Sequence, residues 1–199
     1  MKLLMSPASP FVRKVRVLLR EANLLDIVEE VDVSTSPLAS NPTVVAANPT
    51  GKIPALLRDD GPALYDSRVI TRYLDDHANA GLYPPARVWD VLTLEATADA
   101  IMEATVLITY EARLRPADKQ FDGWTDAQWG KATRAVSAIN DRWMSQLSGP
   151  LDMGQISVGC ALGYLDLRHD ARGWRNGNAT LAEWYAQFAQ RDSMLATAP

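Results

Sequence analysis

Two serines near the start of the chain, Ser6 and Ser9, could stabilise a negative charge. Ser9 stands directly before Pro10, and an apolar segment with helical spacing follows. Proline favours the first position of a helix, so Ser9 is predicted to be the N-cap residue, beside the unpaired N–H groups of the first turn. A hydroxyl at the positive end of a helix suits anion binding. The alternative is that Ser9 only caps the helix, which is the more common role.

Asp66 and Ser67 form a second polar pair at a predicted helix start. The apolar residues after them have helical spacing, which places Asp66 at or beside the N-cap and Ser67 in the first turn. N–H groups there that the cap leaves unused can bind an anionic ligand. Capping alone is the alternative, and the two roles are compatible.

Between these two pairs lies a turn that leads into a strand beginning near a proline. Residues 48–54 read NPTGKIP. Pro54 cannot donate a hydrogen bond to a sheet, so this end of the strand borders a loop, a bulge or a ligand. A cis bond between Ile53 and Pro54 would turn the backbone groups of Ile53 away from the sheet. The residue pattern alone does not decide between the two isomers.

These segments belong to a predicted α/β domain. Residues 1–78 read as β-α-β-α-β-β-α, which predicts a mixed four-stranded sheet with flanking helices. The Gly- and Pro-rich stretch 79–86 is predicted to be a linker. Residues 87–199 have no strand signals and are predicted to form an all-helical domain, in which Asp152 and Gln155 have the spacing of a capping box.

Composition indicates an ordinary folded protein. Of the 199 residues, 47% are hydrophobic and 22% are charged, and the net charge is −4. The only basic stripe is one face of the first helix, predicted to be solvated, so no nucleic-acid partner is expected. No apolar run approaches the roughly 20 residues of a membrane-spanning helix, and the N-terminus does not resemble a signal peptide. We therefore expect a cytoplasmic protein without a membrane partner.

The sulfur and imidazole groups do not suggest a redox or metal site. Cys160 is the single cysteine, which excludes an internal disulfide and a two-thiol redox site. Its apolar helix predicts a buried, inert thiol. The two histidines, His77 and His169, are too isolated from each other to suggest a metal site, so no metal is expected.

The order of motifs and domains resembles a cytosolic-type glutathione S-transferase over essentially the whole chain. The motifs are SPFVRK at residues 9–14, NPTGKIP at 48–54 and the Asp66–Ser67 pair. The capping box and the sequence RDSM at 191–194 resemble further family features. The first motif is most similar to bacterial members and plant serine-type classes. The resemblance implies a thioredoxin-like fold for residues 1–78, glutathione as co-substrate and a homodimer.

The resemblance also implies which residues contact glutathione. Ile53 would pair its backbone with the cysteinyl part of glutathione, with Pro54 cis. Asp66 and Ser67 would hold the γ-glutamyl end, and Lys52 would lie near the glycyl carboxylate. Family members often carry Glu where this chain has Asp66, whose side chain is one methylene shorter.

Ser9 is the catalytic residue that the resemblance implies, facing the glutathione sulfur. A free thiol has a pKa of about 8.5, and lowering it by roughly two units takes about 2.7 kcal/mol. One charge-assisted hydrogen bond at ~1.5–3 kcal/mol and a helix terminus at ~0.3–1 kcal/mol suffice. Ser6 is the rival, but Pro10 places Ser9 at the cap. The absence of Cys at positions 6 and 9 disfavours the cysteine-dependent branches of the family.

The second substrate is expected in a pocket between the domains. Met102, Val106, Tyr110 and Arg113 recur at steps of three or four on one predicted helix and could line it, although an ordinary core or a dimer face is equally compatible. We expect an enzyme that adds glutathione to a small hydrophobic electrophile. The alternatives are a non-catalytic binding protein of the same fold and a glutathione-dependent reductase or peroxidase.

Overall fold

The computed structural model describes all 199 residues and divides into two units. The first comprises residues 1–84 together with 192–199, and the second comprises residues 85–191. Residues 192–199 thus pack with the α/β unit, whereas the sequence pattern places them in the helical domain. None of the helices combines the length and the hydropathy that a membrane crossing requires.

A three-stranded sheet lies at the centre of the first unit. Its strands are β1 (Lys2–Met5), β2 (Glu29–Asp32) and β3 (Ala55–Leu57), in the order β2-β1-β3. β1 is parallel to β2 and antiparallel to β3. The predicted fourth strand is wrong, because residues 62–65 contribute only one bridge, between Leu56 and Leu64. Pro62 has no N–H to donate and the next helix begins at Ser67, so the pairing cannot extend in either direction.

The chain has nine α-helices, of which four belong to the first unit and five form the second. Those of the first unit are α1 (Pro10–Glu21), α2 (Pro42–Ala47), α3 (Ser67–Ala78) and the short α9 (Asp192–Leu195). Those of the second unit are α4 (Val88–Leu114), α5 (Asp122–Arg142), α6 (Met144–Leu147), α7 (Met153–His169) and α8 (Ala179–Phe188). An α/β unit followed by a helical unit is the predicted fold class.

The basic side chains of α1 are buried rather than solvated, which corrects the sequence-based interpretation. Lys14 is fully buried, and Arg13 and Arg16 are nearly so. Arg16 and Arg20 both pair with Glu30 on β2, at 3.1 and 2.6 Å. Burial acts to raise the pKa of Glu30, but the hydrogen bonds and charges of the two arginines outweigh it and the pKa is lowered. Ion pairs with Glu30 on β2 therefore stabilise the position of α1 against the sheet, in addition to the apolar packing of the helix.

Only the Asp152 half of the predicted capping box is formed at the start of α7, because the Gln155 side chain does not accept from the Asp152 N–H but turns to the preceding residues. Asp152 is fully buried, and its Oδ1 accepts a hydrogen bond from the Gln155 N–H at 3.1 Å. The Gln155 side-chain amide donates to three backbone carbonyls of the preceding turn, at Gln146, Gly149 and Pro150. α7 packs against α4 to form the core of the second unit. The Asp152 cap and the Gln155 side chain together fix where the most deeply buried helix of this unit begins.

Candidate functional site

The strand register brings the end of β1 next to the Ile53–Pro54 bond. β1 and β3 pair in antiparallel fashion, with Leu4 opposite Ala55. The next position on this ladder would pair Met5, the last residue of β1, with Pro54, which lies just outside β3. The loop that follows β1, and ends in Ser9, therefore starts at the Pro54 end of β3.

A second antiparallel contact brings the start of α3 to the same end of the sheet. Leu56 and Leu64 exchange two backbone hydrogen bonds of 2.9 Å. Two positions further along this ladder lie Pro54 and Asp66. All three segments singled out from the sequence thus meet at one end of the sheet, within one unit.

Ser9 is the N-cap residue of α1, as predicted. Its backbone is extended, with φ −84° and ψ 122°, and its Oγ accepts a hydrogen bond from the Val12 N–H at 3.4 Å. The Ser9 carbonyl accepts from the Arg13 N–H at 3.0 Å, and the Ser9 N–H donates to the Ser6 carbonyl at 3.1 Å. Because the cap uses a lone pair of the hydroxyl and not its proton, the half-buried Ser9 hydroxyl can still donate to a ligand.

The Ile53–Pro54 peptide bond is cis, as the resemblance implies. The preceding turn is closed by the buried Asn48, whose side-chain amide donates to the Lys52 carbonyl at 2.9 Å. Gly51 sits at φ +68°, a conformation that side chains other than that of glycine rarely adopt. Ile53 is half-buried and precedes the first residue of β3 by two positions, while the Lys52 side chain is exposed. The turn therefore ends in backbone that is outside the strand and able to pair with a ligand.

Asp66 and Ser67 occupy the start of α3, as predicted. Asp66 is the N-cap, and its carboxylate accepts hydrogen bonds from both the backbone N–H and the guanidinium of Arg68, at 3.1 and 2.9 Å. Burial acts to raise the pKa of Asp66, but Arg68 and, more weakly, Lys14 lower it below the usual value. Ser67 is 3% exposed and is the first residue of the helix. This terminus offers a carboxylate for a cation and helix N–H groups for an anion.

Two comparisons with known proteins decide the family. Family models described as glutathione S-transferase, N-terminal domain, and glutathione S-transferase, C-terminal domain, match residues 8–77 and 122–187. The chain is also 45% identical to a glutathione transferase family member from Pseudomonas fluorescens Pf-5, whose crystal structure contains bound glutathione. The match covers 100% of this chain and 98% of the other, with a TM-score of 0.97. This chain belongs to the glutathione S-transferase family.

Further similar proteins agree with this membership. A second structure of a glutathione transferase family member from Pseudomonas fluorescens Pf-5 contains S-(propanoic acid)-glutathione. It is 44% identical, with a TM-score of 0.92, and the match covers 100% of this chain and 99% of that one. The chain is 29% identical to an uncharacterised GST-like protein, YibF, of Escherichia coli K12, over 100% of this chain and 98% of the relative. The glutathione S-transferase fold expected from the motifs is confirmed.

Sequence reasoning missed Arg68 and Lys14 as groups that act on the candidate glutathione S-transferase site. Arg68 follows Asp66 by two residues, a spacing that lets one side chain reach back to the cap carboxylate. Lys14 was assigned to a solvated helix face, although it is fully buried and its charge acts on Asp66. The Asp-x-Arg spacing could have indicated that Arg68 contacts Asp66. No local signal indicates that Lys14 is buried and acts on the same carboxylate.

The predicted electrophile-lining residues all lie on α4 but differ in exposure. Met102 is fully buried in the protein, Val106 is half-buried, and Tyr110 and Arg113 are exposed. Complete burial of Met102 fits the packing role that was the alternative for this set. Contact of these four side chains with an electrophile stays a prediction.

His169 and Cys160 lie in the second unit, and both are buried in surroundings that indicate a structural role. The His169 Nε2 is 3.0 Å from the Thr105 carbonyl and 3.3 Å from the Thr109 hydroxyl, to which the Tyr164 hydroxyl donates at 3.0 Å. Burial lowers the pKa of His169 and raises the pKa of Tyr164. Cys160 is buried in α7. No group of three or more His, Cys, Asp or Glu residues is arranged to hold a metal ion.

Proposed function

We propose that this protein is a glutathione transferase in which Ser9 activates the thiol of glutathione for attack on a small hydrophobic electrophile. The strand register carries this proposal, because it gathers the Ser9 loop, the cis Ile53–Pro54 bond and the start of α3 at one end of the sheet. The bound glutathione in the 45% identical relative supports the same tripeptide as the ligand.

Each part of glutathione has a complementary group at this end of the sheet. The backbone of Ile53 pairs with the cysteinyl residue as an added strand would. The γ-glutamyl carboxylate accepts from the N–H and hydroxyl of Ser67 at the start of α3, and its ammonium group donates to Asp66. The Asp66 carboxylate is ionised at neutral pH, since Arg68 lowers its pKa below an ordinary value that is itself far below neutrality. Lys52, exposed beside Ile53, binds the glycyl carboxylate.

The Ser9 hydroxyl and the N-terminus of α1 then favour the thiolate over the thiol. The hydroxyl proton is not used by the helix cap, so it is donated to the sulfur. The thiol proton is lost to solvent, and the sulfur forms a bond to an electrophilic carbon as the leaving group departs with its electron pair. A thioether-type glutathione ligand in one relative is consistent with such a product.

The electrophile is proposed to contact the exposed part of α4, at Val106, Tyr110 and Arg113. Met102 is fully buried and contributes packing only. A two-fold homodimer is the assembly that the family resemblance favours, and sedimentation velocity at micromolar concentration tests it.

Calorimetric titration with glutathione, followed by a panel of electrophiles, tests the proposed function. The panel contains aryl halides, epoxides, α,β-unsaturated carbonyls and an organic hydroperoxide. Binding with conjugation of a panel member supports the proposal, and S-methylglutathione, whose methylated sulfur cannot form a thiolate, is the control ligand. Binding without any turnover favours the non-catalytic alternative, and hydroperoxide reduction alone favours a peroxidase. Absence of glutathione binding overturns all three.

A further inference from the structure

Residues 192–199 return to the first unit and contact α1 near both of its ends. Near the start of the helix, the Arg13 guanidinium donates to the Met194 carbonyl at 3.0 Å and reaches the Thr197 hydroxyl at 3.5 Å. At the last residue of the helix, the Ser193 hydroxyl donates to the Glu21 carboxylate at 2.5 Å. Ser193 and Met194 are adjacent residues of α9, so the Arg13 guanidinium and the Glu21 carboxylate converge on the same turn of this segment.

The contacts between Arg13 and this segment are buried, and the segment also has a hydrogen bond of its own. Arg13 is 8% exposed and Thr197 is 0% exposed. The Thr197 hydroxyl donates to the Ser193 carbonyl at 2.8 Å, a hydrogen bond within the same turn that contacts α1. A guanidinium removed from water costs free energy unless its N–H groups find acceptors, so Arg13 depends on residues 194 and 197 for its position.

The same residue closes the turn that carries Ser9. The Arg13 N–H donates to the Ser9 carbonyl at 3.0 Å, the first backbone hydrogen bond of α1 after its cap. The Ser9 hydroxyl is held more loosely, by its 3.4 Å contact with the Val12 N–H. Arg13 thus links the turn that carries Ser9, through its backbone N–H, to residues 192–199, through its side chain.

We propose that Arg13, held by residues 192–199, is a positioning residue that directs the Ser9 hydroxyl toward the glutathione sulfur. This inference rests on the proposed role of Ser9 in thiol activation. Arg13 does not contact glutathione in this scheme. Its loss therefore weakens activation of the thiol while leaving the binding of glutathione nearly intact.

The test compares Arg13→Met and Arg13→Lys with Glu30→Gln. Glu30→Gln disturbs α1 through Arg16 and Arg20 without touching the Ser9 turn, so it is the matched control. The pKa of bound glutathione is read from the ultraviolet absorbance of its thiolate over a pH series. Arg13→Met is expected to raise it by about one unit, which lowers kcat/KM about tenfold at pH values below the pKa. The Kd for S-methylglutathione stays within about twofold, and Arg13→Lys recovers part of the loss.

Amide hydrogen exchange at Val12 and Arg13 gives a readout that does not involve glutathione. Faster exchange at these two amides, with a raised thiol pKa, supports the proposal. A wild-type thiol pKa in folded Arg13→Met overturns it, and so does an equal rise in Glu30→Gln, which would indicate general loosening of α1. If Arg13→Met does not fold, Arg13→Lys decides, since unchanged exchange and thiol pKa in that variant also overturn it. An unchanged thiol pKa in Ser9→Ala would instead refute the proposed function itself.

Discussion

Replacing Ser9 by alanine removes the proposed hydrogen bond to the thiolate and leaves the N-terminus of α1 in place. A hydrogen bond to a charged group contributes ~1.5–3 kcal/mol, which corresponds to a rise of about 1–2 units in the pKa of the bound thiol. Below that pKa, the thiolate fraction and kcat/KM fall about 10- to 100-fold. The cap contact to Val12 is long, at 3.4 Å, so the loss of folding stability lies near the low end of cap substitutions, about 0.5 kcal/mol.

The assay is a pH titration of thiolate absorbance in saturating glutathione, combined with kcat and KM for a reactive electrophile. Ser6→Ala is the control, because Ser6 lies in the same loop and contributes its carbonyl, not its hydroxyl, to the Ser9 N–H. Chemical denaturation of both variants measures the cap contribution separately. At a pH well above the raised pKa, Ser9→Ala is expected to regain most of its activity, since the thiol then ionises without help.

Three results of this titration would contradict the reasoning. A raised thiol pKa in Ser6→Ala but not in Ser9→Ala would transfer the role to Ser6. A wild-type pKa in both variants would show that neither hydroxyl activates the thiol. A loss of glutathione affinity equal to the loss of kcat/KM would mean that Ser9 binds the substrate without favouring its anion.

Three further predictions concern the titratable side chains of Asp66, His169 and Asp152. Asp66→Asn removes the carboxylate that accepts from Arg68 and, in our proposal, from the γ-glutamyl ammonium, so the glutathione Kd should rise about fivefold, as expected for a half-exposed charge pair, by calorimetry. Burial lowers the pKa of His169, so the unfolded chain binds a proton that the folded chain excludes, and unfolding free energy should fall as pH decreases below about 6.5. His169→Gln should flatten that slope in denaturation experiments at several pH values, and an unchanged slope would refute the assignment. Asp152→Ala removes the buried cap that binds the Gln155 N–H and should cost about 2–3 kcal/mol of stability, measured by urea unfolding, with glutathione affinity of the folded protein unchanged.

Local signals predicted the parts of the candidate site that neighbouring residues determine. Ser9 before Pro10 predicted the cap of α1, and Asp66 before Ser67 predicted that of α3, because a cap is decided within one turn of helix. The cis Ile53–Pro54 bond was different, since most X-Pro bonds are trans and the resemblance to a family was needed to expect it.

The features that the sequence did not reveal depend on partners far along the chain. Arg13 and Met194 are separated by 181 positions, and no local pattern pairs them. Basic residues at helical spacing usually indicate a solvated face, but on α1 their acceptors come from β2 and from residues 192–199. The fourth strand was predicted from the hairpin-turn signal at residues 59–61, while the number of ladder bonds it could make depended on where α3 begins.

The return of residues 192–199 to the first unit sets an order for biosynthesis. The ribosome makes the whole of residues 85–191 before the segment that packs on α1 emerges. Until then Arg13 lacks the carbonyl of Met194, so the α/β unit is incomplete while the helical unit is being translated. A gene fragment encoding only residues 1–84 would produce the same unfinished state permanently, and an α/β unit excised at that boundary should be supplied with the missing segment as a peptide or a fusion.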